Sequence, residues 1–353
     1  MVTLGTDTHK SSHTIVAVDA NGRVLGQRTV AATSAGHLEV LQWAAQWPHR
    51  TWAIEDCRHL SRRLEADLLR RGERLLRVPP RLMAGARRSS RTPGKSDPID
   101  ALAVARAALR ETDLPSAALD GPERDVRLLL DHREDLVATR TAMQNRLRWH
   151  VHELAPEAAP PARALDRASV LAALEQVLAN MPGMVARLAR ELLQDLRALT
   201  TRIDRLEREI GQLVRPLAPT LLALLGCGVL TAAKLLAETA DIRRFRSKAA
   251  YARHNGTAPM PVWSGKTQHV RLNRGGNRQL NAALHRIAIT QLQRPGALGR
   301  EYVQRRMANG NTKTEAIRAL RRRLSDEVYR RLMLDAPPIV VAHTHPVAVN
   351  PLT

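Results

Sequence analysis

The sequence predicts a mixed α/β domain at the N-terminus followed by two mainly α-helical regions, and three observations carry that reading. Three short β-type runs precede an alternation of helix and strand patterns before Pro115. A heptad seam of Leu and Ile runs from Leu192 to Leu213. A Gly-x-Gly turn at Gly226 and Gly228 then opens a third region rich in helix formers. The expected boundaries are 1–115 for the α/β domain, 116–215 for a helical coiled-coil and dimerisation region, 216–335 for a C-terminal domain and 336–353 for a tail.

Taken in order, Val2-Thr3-Leu4-Gly5-Thr6 reads as a strand ending at Asp7, and Thr14 to Val18 as a second. Asp19-Ala20-Asn21-Gly22 supplies hairpin chemistry, and Val24 to Val30 returns as a third strand. Ser34 then caps a helix carrying Leu38, Val40 and Leu41. Thr51 to Glu55 is a fourth strand, His59 to Arg71 a helix and Leu75 to Val78 a fifth strand. A basic segment with Arg87, Arg88 and Arg91 leads to Gly94-Lys95-Ser96-Asp97-Pro98-Ile99-Asp100. Pro98 suits a first helical turn, Ser96 or Asp97 an N-cap, and Ala101 to Leu109 continues as a strong helix former.

The bulk composition narrows the partners. A formal net charge of +21 over 353 residues points to a polyanion, and phosphate neutralisation is the commonest reason for such an excess. With aromatics at only 3%, base stacking is not the main mode of binding. Two cysteines, Cys57 and Cys227, make neither a zinc framework nor a disulfide scaffold, and a reducing bacterial cytoplasm, with association to the nucleoid, is the expected location. The start MVTLGTDTHK lacks the apolar core of a signal peptide, and the most apolar stretch, Leu217 to Ala233, is broken by Pro219, Gly226 and Gly228. No membrane contact is expected.

Acids fall where chemistry can use them. Asp7 ends the first strand and Glu55 the fourth, and ligand sites of open α/β sheets lie beyond the carboxyl ends of strands. Asp97 and Asp100 share one face of the first turn of their helix, where the milder reading is complementation of the helix dipole. Four converging carboxylates repel one another unless cations neutralise them, and oxygen ligands suit Mg²⁺ or Mn²⁺. Two ions about 3.5–4 Å apart can activate a nucleophile and stabilise the leaving oxygen of a phosphodiester.

Beyond Pro115, Leu136, Met143, Leu147 and Leu154 lie on one face of a long Arg-rich helix that Pro156, Pro160 and Pro161 break. A second helix carries Leu192, Leu196, Leu199, Ile203, Leu206, Ile210 and Leu213, and the seam is expected to meet another subunit in a dimer or tetramer. His150 and His152 do not share a helix face, which argues against a metal there. Gly226-Cys227-Gly228 resembles a helix-hairpin-helix turn whose backbone N–H groups approach a phosphate; a tight turn without ligand is the plainer alternative. Gly256 to Lys266, with Ser264 in a polar loop, is followed by Arg271, Arg274 and Arg278, guanidinium groups suited to clamping a phosphate. Leu280 to Leu292 and Thr314 to Leu334 read as helices, with Arg321-Arg322-Arg323 as a solvated or phosphate-facing stripe.

The segments Gly5-Thr6-Asp7-Thr8-His9-Lys10, Ile54-Glu55 and Gly94 to Ala101 resemble the transposases of the IS-one-ten insertion-sequence family. The resemblance implies a ribonuclease H-like, RuvC-type N-terminal domain with Asp7, Glu55, Asp97 and Asp100 as an acidic tetrad that holds Mg²⁺ or Mn²⁺. It also implies that Ser264, in the C-terminal domain, is a nucleophile forming a phosphoserine intermediate with DNA. A structured bridge RNA is then the guide that pairs with donor and target DNA. Many relatives follow the glutamate with a small residue and glycine, whereas Asp56-Cys57-Arg58 stands here and leaves Asp56 as a competing ligand. Strand alternation favours Glu55, because it lies off the apolar face of Trp52 and Ile54. Trp263 stands where relatives often carry a further serine. The expected nucleic-acid contacts are Lys10, Arg87, Arg88, Arg91, Lys95, Gly226, Gly228, Lys266, Arg271, Arg274 and Arg278. The rival readings are a metal-dependent, structure-specific nuclease of the Holliday-junction type and a non-catalytic nucleic-acid-binding protein.

Overall fold

The structure, a computed structural model, describes residues 1–80, 82, 96–111, 114–117, 119–264, 267–271, 273 and 275–336, and residues 58, 261–264 and 267–271 by their backbone. The chain divides into two compact units, the first ending at Asp120 and the second beginning at Gly121.

In the first unit, β1 (Val2–Thr8), β2 (Ser12–Val18) and β3 (Val24–Ala31) form an antiparallel meander. β4 (Arg50–Glu55) and β5 (Leu75–Val78) join in parallel on the other side of β1, giving the order β3-β2-β1-β4-β5. The turn after β2 is made by Asp19, whose carboxylate accepts from the backbone N–H groups of Asn21 and Arg23, and by Gly22 at φ 78°.

Helices α1 (Ser34–Ala44) and α2 (Arg58–Arg70) cover one face, where Leu4, Ile15, Trp52 and Ile54 pack with Val40, Leu41, Leu64 and Leu68. The N-cap of α1 is Thr33, one residue before the expected Ser34, because the Thr33 hydroxyl accepts from the Gly36 N–H. Helix α3 (Asp97–Arg110) covers the other face, with Ala101 and Ala105 against Val16 and Val18, and Val104 and Ala107 against Ala53 and Val78. The central strands are thus covered on both faces, which explains why β1, β2 and β4 are buried along almost their whole length. This mixed sheet flanked by helices fits the ribonuclease H-like domain that the resemblance implies.

The second unit is helical. α4 (Glu123–Leu154), α5 (Ala168–Leu178) and α6 (Met184–Leu217) come first. α4 and α6 run antiparallel: Arg133 pairs with Glu207 at 2.7 Å, and Arg140 reaches Thr200 at 3.4 Å. Leu147 and Val151 then share a core with Leu193 and Leu196, and with Leu171 and Leu174 of α5. At the opposite end of α6, Ile210 and Val214 meet Val126 and Leu130 of α4.

The heptad seam is therefore buried within the chain. Leu196, Ile203, Leu206 and Ile210 are buried, whereas Leu192, Leu199 and Leu213 lie half-buried at its flanks. A sequence shows that a seam wants a partner, and here α4 supplies one without a second subunit.

The remaining elements are α7 (Pro219–Leu222), α8 (Val229–Thr239), α9 (Lys248–His254), the antiparallel pair β6 (Met260–Ser264) and β7 (Thr267–Arg271), α10 (Arg278–Gln293), α11 (Leu298–Ala308) and α12 (Lys313–Asp335). Their core runs on without a break into α4 and α6, through Ala232, Leu235, Leu284, Ile287 and Val328. The expected division at 215/216 thus corresponds to no boundary in the structure, and the first unit ends at 120 rather than 115. Within the stretch read as a polar loop and just beyond it, residues 260–264 and 267–271 pair as antiparallel strands instead. These strands carry Pro261 and polar residues that mask the alternation. Among the described residues no helix is long and apolar enough to cross a membrane.

Candidate active site

Three features of the first unit place acids together. Asp7 lies next to the end of β1, two residues beyond Gly5, and so on the same face as Gly5. Gly5 sits directly under α3: a Cβ there would stand 2.2 Å from the Ala101 carbonyl oxygen. Glycine is thus required for the helix to lie on the strand, and that approach carries the first turn of α3 over the end of β1.

The N-cap of α3 is Ser96, and Pro98 falls in its first turn as the sequence indicates. Asp97 and Asp100 then face Asp7. Burial raises the Asp7 carboxyl above its usual range, His9 opposes that rise, and Asp100 and Asp97 add to it. Asp7 and Asp100 are each 7% exposed, so this is a partly desolvated cluster of negative charge.

Glu55 ends β4, next to β1, and Thr6 registers with Ile54. Ala53 belongs to the α3 side of the sheet, and alternation puts Glu55 on that side as well. The Cys57 thiol is pushed up by burial, then by Glu55, Asp56 and Asp7, so these acids share one neighbourhood. Asp56 is exposed beyond the strand end, its N–H donating to the Val78 carbonyl.

His9 is the site residue that the sequence reading missed. Its Nε2 lies 3.1 Å from Asp7 Oδ2 and 3.3 Å from Asp97 Oδ1, bridging strand and helix. Asp7, His9 and Asp97 offer ligand atoms within 4.8 Å of one another. The signal was present in the sequence, since a residue two beyond Asp7 returns to the Asp7 face. The imidazole nitrogen and the two carboxylate oxygens lie close enough together to share one cation. The donor set therefore fits a divalent ion, with oxygen ligands from Asp7 and Asp97, Asp100 beside them and one imidazole.

The other expected residues scatter. Lys10 is exposed next to His9. Arg87, Arg88, Arg91, Lys95, Lys266 and Arg274 lie outside the described residues. Ser264 belongs to the second unit, at the end of β6 and paired with Thr267, while Arg271 pairs with Met260 at the hairpin's base. Arg278 opens α10 and is exposed.

Gly226 has φ 91°, and a Cβ there would stand 3.0 Å from the Ile287 carbonyl oxygen. Its need for glycine comes from the turn and from close packing on α10. The element before it, α7, is a four-residue turn rather than the full helix expected of a helix-hairpin-helix. Gly228 is the N-cap of α8 with open space at its Cβ position.

Residues 4–156 match the IS110 DEDD transposase model, and residues 218–304 match the model of the transposase IS116/IS110/IS902 family. An uncharacterized protein of insertion element IS116 from Streptomyces clavuligerus is 28% identical, over 95% of this chain and 97% of its own length. One of insertion element IS900 from Mycobacterium paratuberculosis is 29% identical, over 90% of this chain and 92% of its own length. A probable family 20 transposase of Pseudomonas aeruginosa is 33% identical, over 50% of this chain and 53% of its own length. Among solved structures, RuvC of Thermus thermophilus bound to a Holliday junction aligns at 17% identity with a TM-score of 0.25, over 31% of this chain and 94% of RuvC. Two models of one family, matched in order along the chain, and relatives aligned nearly end to end show that this chain belongs to the IS110 family of insertion-sequence transposases.

Proposed function

We propose that the chain is a DNA transposase that cuts and rejoins strands through the acidic site of its first unit and Ser264 of its second. The observation that carries this reading is the meeting of Asp7, His9 and Asp97, with Asp100 beside them, at the carboxyl end of β1. Asp7, Asp97 and Asp100 would hold the ion, with Glu55 reaching the same face from β4. Bound there, Mg²⁺ or Mn²⁺, as one ion or two, supplies Lewis acidity that lowers the pKa of a hydroxyl and neutralises a leaving oxygen.

The work of the chain's own residues is positional. Gly5 seats α3, α3 aims its two aspartates, and His9 ties strand to helix. The Ser264 oxygen would form a bond to phosphorus while the strand's own oxygen departs and takes up a proton, leaving a phosphoserine link that a second strand end resolves. Ser264 would come from the same protomer or from another one in a dimer or tetramer. Donor and target DNA are the substrates, a structured bridge RNA is the guide, and the net charge of +21 suits both polyanions.

Ser264→Ala with end-labelled DNA tests the proposal, given the RNA that co-purifies with the full chain. Loss of both cleavage and the covalent protein–DNA adduct is the expected result. Persistent cleavage without adduct would leave a water-using, structure-specific nuclease. Binding without any strand breakage in the wild type would leave a non-catalytic binding protein.

A further inference from the structure

The second unit contains a cleft of about 620 Å³ at the base of the β6–β7 hairpin, between the first turns of α10 and α12. Its size is that of a small-ligand site rather than of a duplex groove. Gly256 and Gly276 line it on either side of the hairpin, and they nearly touch, since a Cβ on Gly276 would stand 2.3 Å from the Gly256 Cα.

The charges in this cleft are of one sign. Arg278, Arg318, Arg321 and His285 line it, and no carboxylate is among the described lining residues. Arg321 is half-buried; burial and then Arg318 hold it below the usual guanidinium range. His285 is likewise lowered, by burial and then Arg321. The Arg321 Nη1 donates to Asn281 Oδ1 at 2.7 Å, but its Nε is buried with no acceptor among the described residues. Glu315 feels Arg318, yet its carboxylate is bound into the capping box with Thr312. Cations gathered in this way and left uncompensated indicate an anionic ligand.

The hydrogen-bonding groups specify which part of a polyanion fits. Asn281 donates to the Asn255 carbonyl and accepts from Arg321, and Asn273 donates to the Arg253 carbonyl and accepts from the Gly275 N–H. The amides that could read base edges are thus held in place by bonds to the protein, whereas the guanidinium groups keep N–H donors for a ligand. Such a site recognises phosphate and not sequence.

We propose that this cleft holds a phosphodiester of a single nucleic-acid strand, with Arg318 and Arg321 clamping the phosphate and Arg278 beside the adjoining sugar. The inference rests on the transposase reading above and adds a backbone anchor at the root of the hairpin that carries Ser264.

The test uses the full chain and fluorescence anisotropy with a labelled single-stranded DNA oligonucleotide, its RNA counterpart and a duplex, across a salt series. Arg318→Gln and Arg321→Gln are compared with the control Arg330→Gln, whose side chain pairs with Glu327 on α12. Arg318 is exposed, so its variant should fold normally, and circular dichroism and thermal melting confirm this for each protein. Expected is a roughly tenfold to hundredfold weaker single-strand affinity for either cleft variant. The slope of log K against log salt should be shallower by about 0.7. Arg330→Gln should match the wild type.

Loss on the RNA alone assigns the cleft to a guide strand, loss on the DNA alone to a substrate strand, and loss on both to either backbone; each supports the site. Wild-type affinity in Arg318→Gln, an equal loss in Arg330→Gln, or loss confined to the duplex overturns it. A wild-type chain that binds none of the three would instead overturn the transposase reading itself.

Discussion

Gly5 of β1 lies directly against the backbone of Ala101 in α3, and nothing larger than hydrogen fits between them. This contact sets the height of α3 over the sheet, and with it the position of Asp97 and Asp100 relative to Asp7. Gly5→Ala should therefore lower stability by roughly 1–3 kcal/mol, the usual cost of overpacking. It should also weaken divalent-ion binding, although it alters no ligand. Urea denaturation together with calorimetric titration of Mn²⁺ checks both effects, and an unchanged denaturation midpoint would remove Gly5 from this role.

Asp97 is half-exposed at the mouth of the cluster, so its removal should leave the fold intact. Asp97→Asn should abolish strand cleavage while salt-sensitive RNA binding stays close to wild type. An equal loss of both would indicate a folding defect, which circular dichroism would reveal.

His9 adds an imidazole nitrogen to a set of oxygen ligands. Mn²⁺ accepts nitrogen ligands more readily than Mg²⁺. His9→Asn should consequently weaken Mn²⁺ binding several-fold and Mg²⁺ binding less, as read by calorimetry in the absence of DNA. Equal losses for the two ions would mean that His9 only props the aspartates.

Two histidines far apart in the chain should make the protein acid-sensitive. Burial holds both His13 and His254 down to about 4; His37 adds to the effect on His13, and Arg244 to that on His254. The unfolded chain binds a proton at each near 6.5, while the folded chain does so only near 4. Between those values the unfolded state carries more protons, so stability falls as the pH is lowered through this window, by up to about 1.4 kcal/mol per pH unit for each group. Denaturation midpoints at pH 7 and pH 5 measure the fall, and His254→Gln should flatten it.

Much of the site was legible in the chain. Strand alternation chose Glu55 over Asp56, and the spacing of Asp97 and Asp100 with Pro98 announced the helix start; the structure places all of these as those local rules require. His9 is legible by the same alternation, two residues beyond Asp7, and only the tertiary contact with Asp97 marks it out from an ordinary exposed histidine. The β6–β7 hairpin and α11 were hidden by Pro261, by polar substitutions and by short length.

By itself, then, the sequence determined what local physics governs: which runs are strands, where helices start, which face of each is apolar, and that the chain seeks a polyanion. Only the tertiary structure decided what meets what. It buried the α6 seam on α4 rather than on a second copy, and turned Gly226 toward α10. It also gathered Arg278, Arg318 and Arg321 from two helices into one cleft. The reason is that periodicity records that a face must be covered or a charge compensated, whereas the partner is chosen by packing between segments remote in sequence.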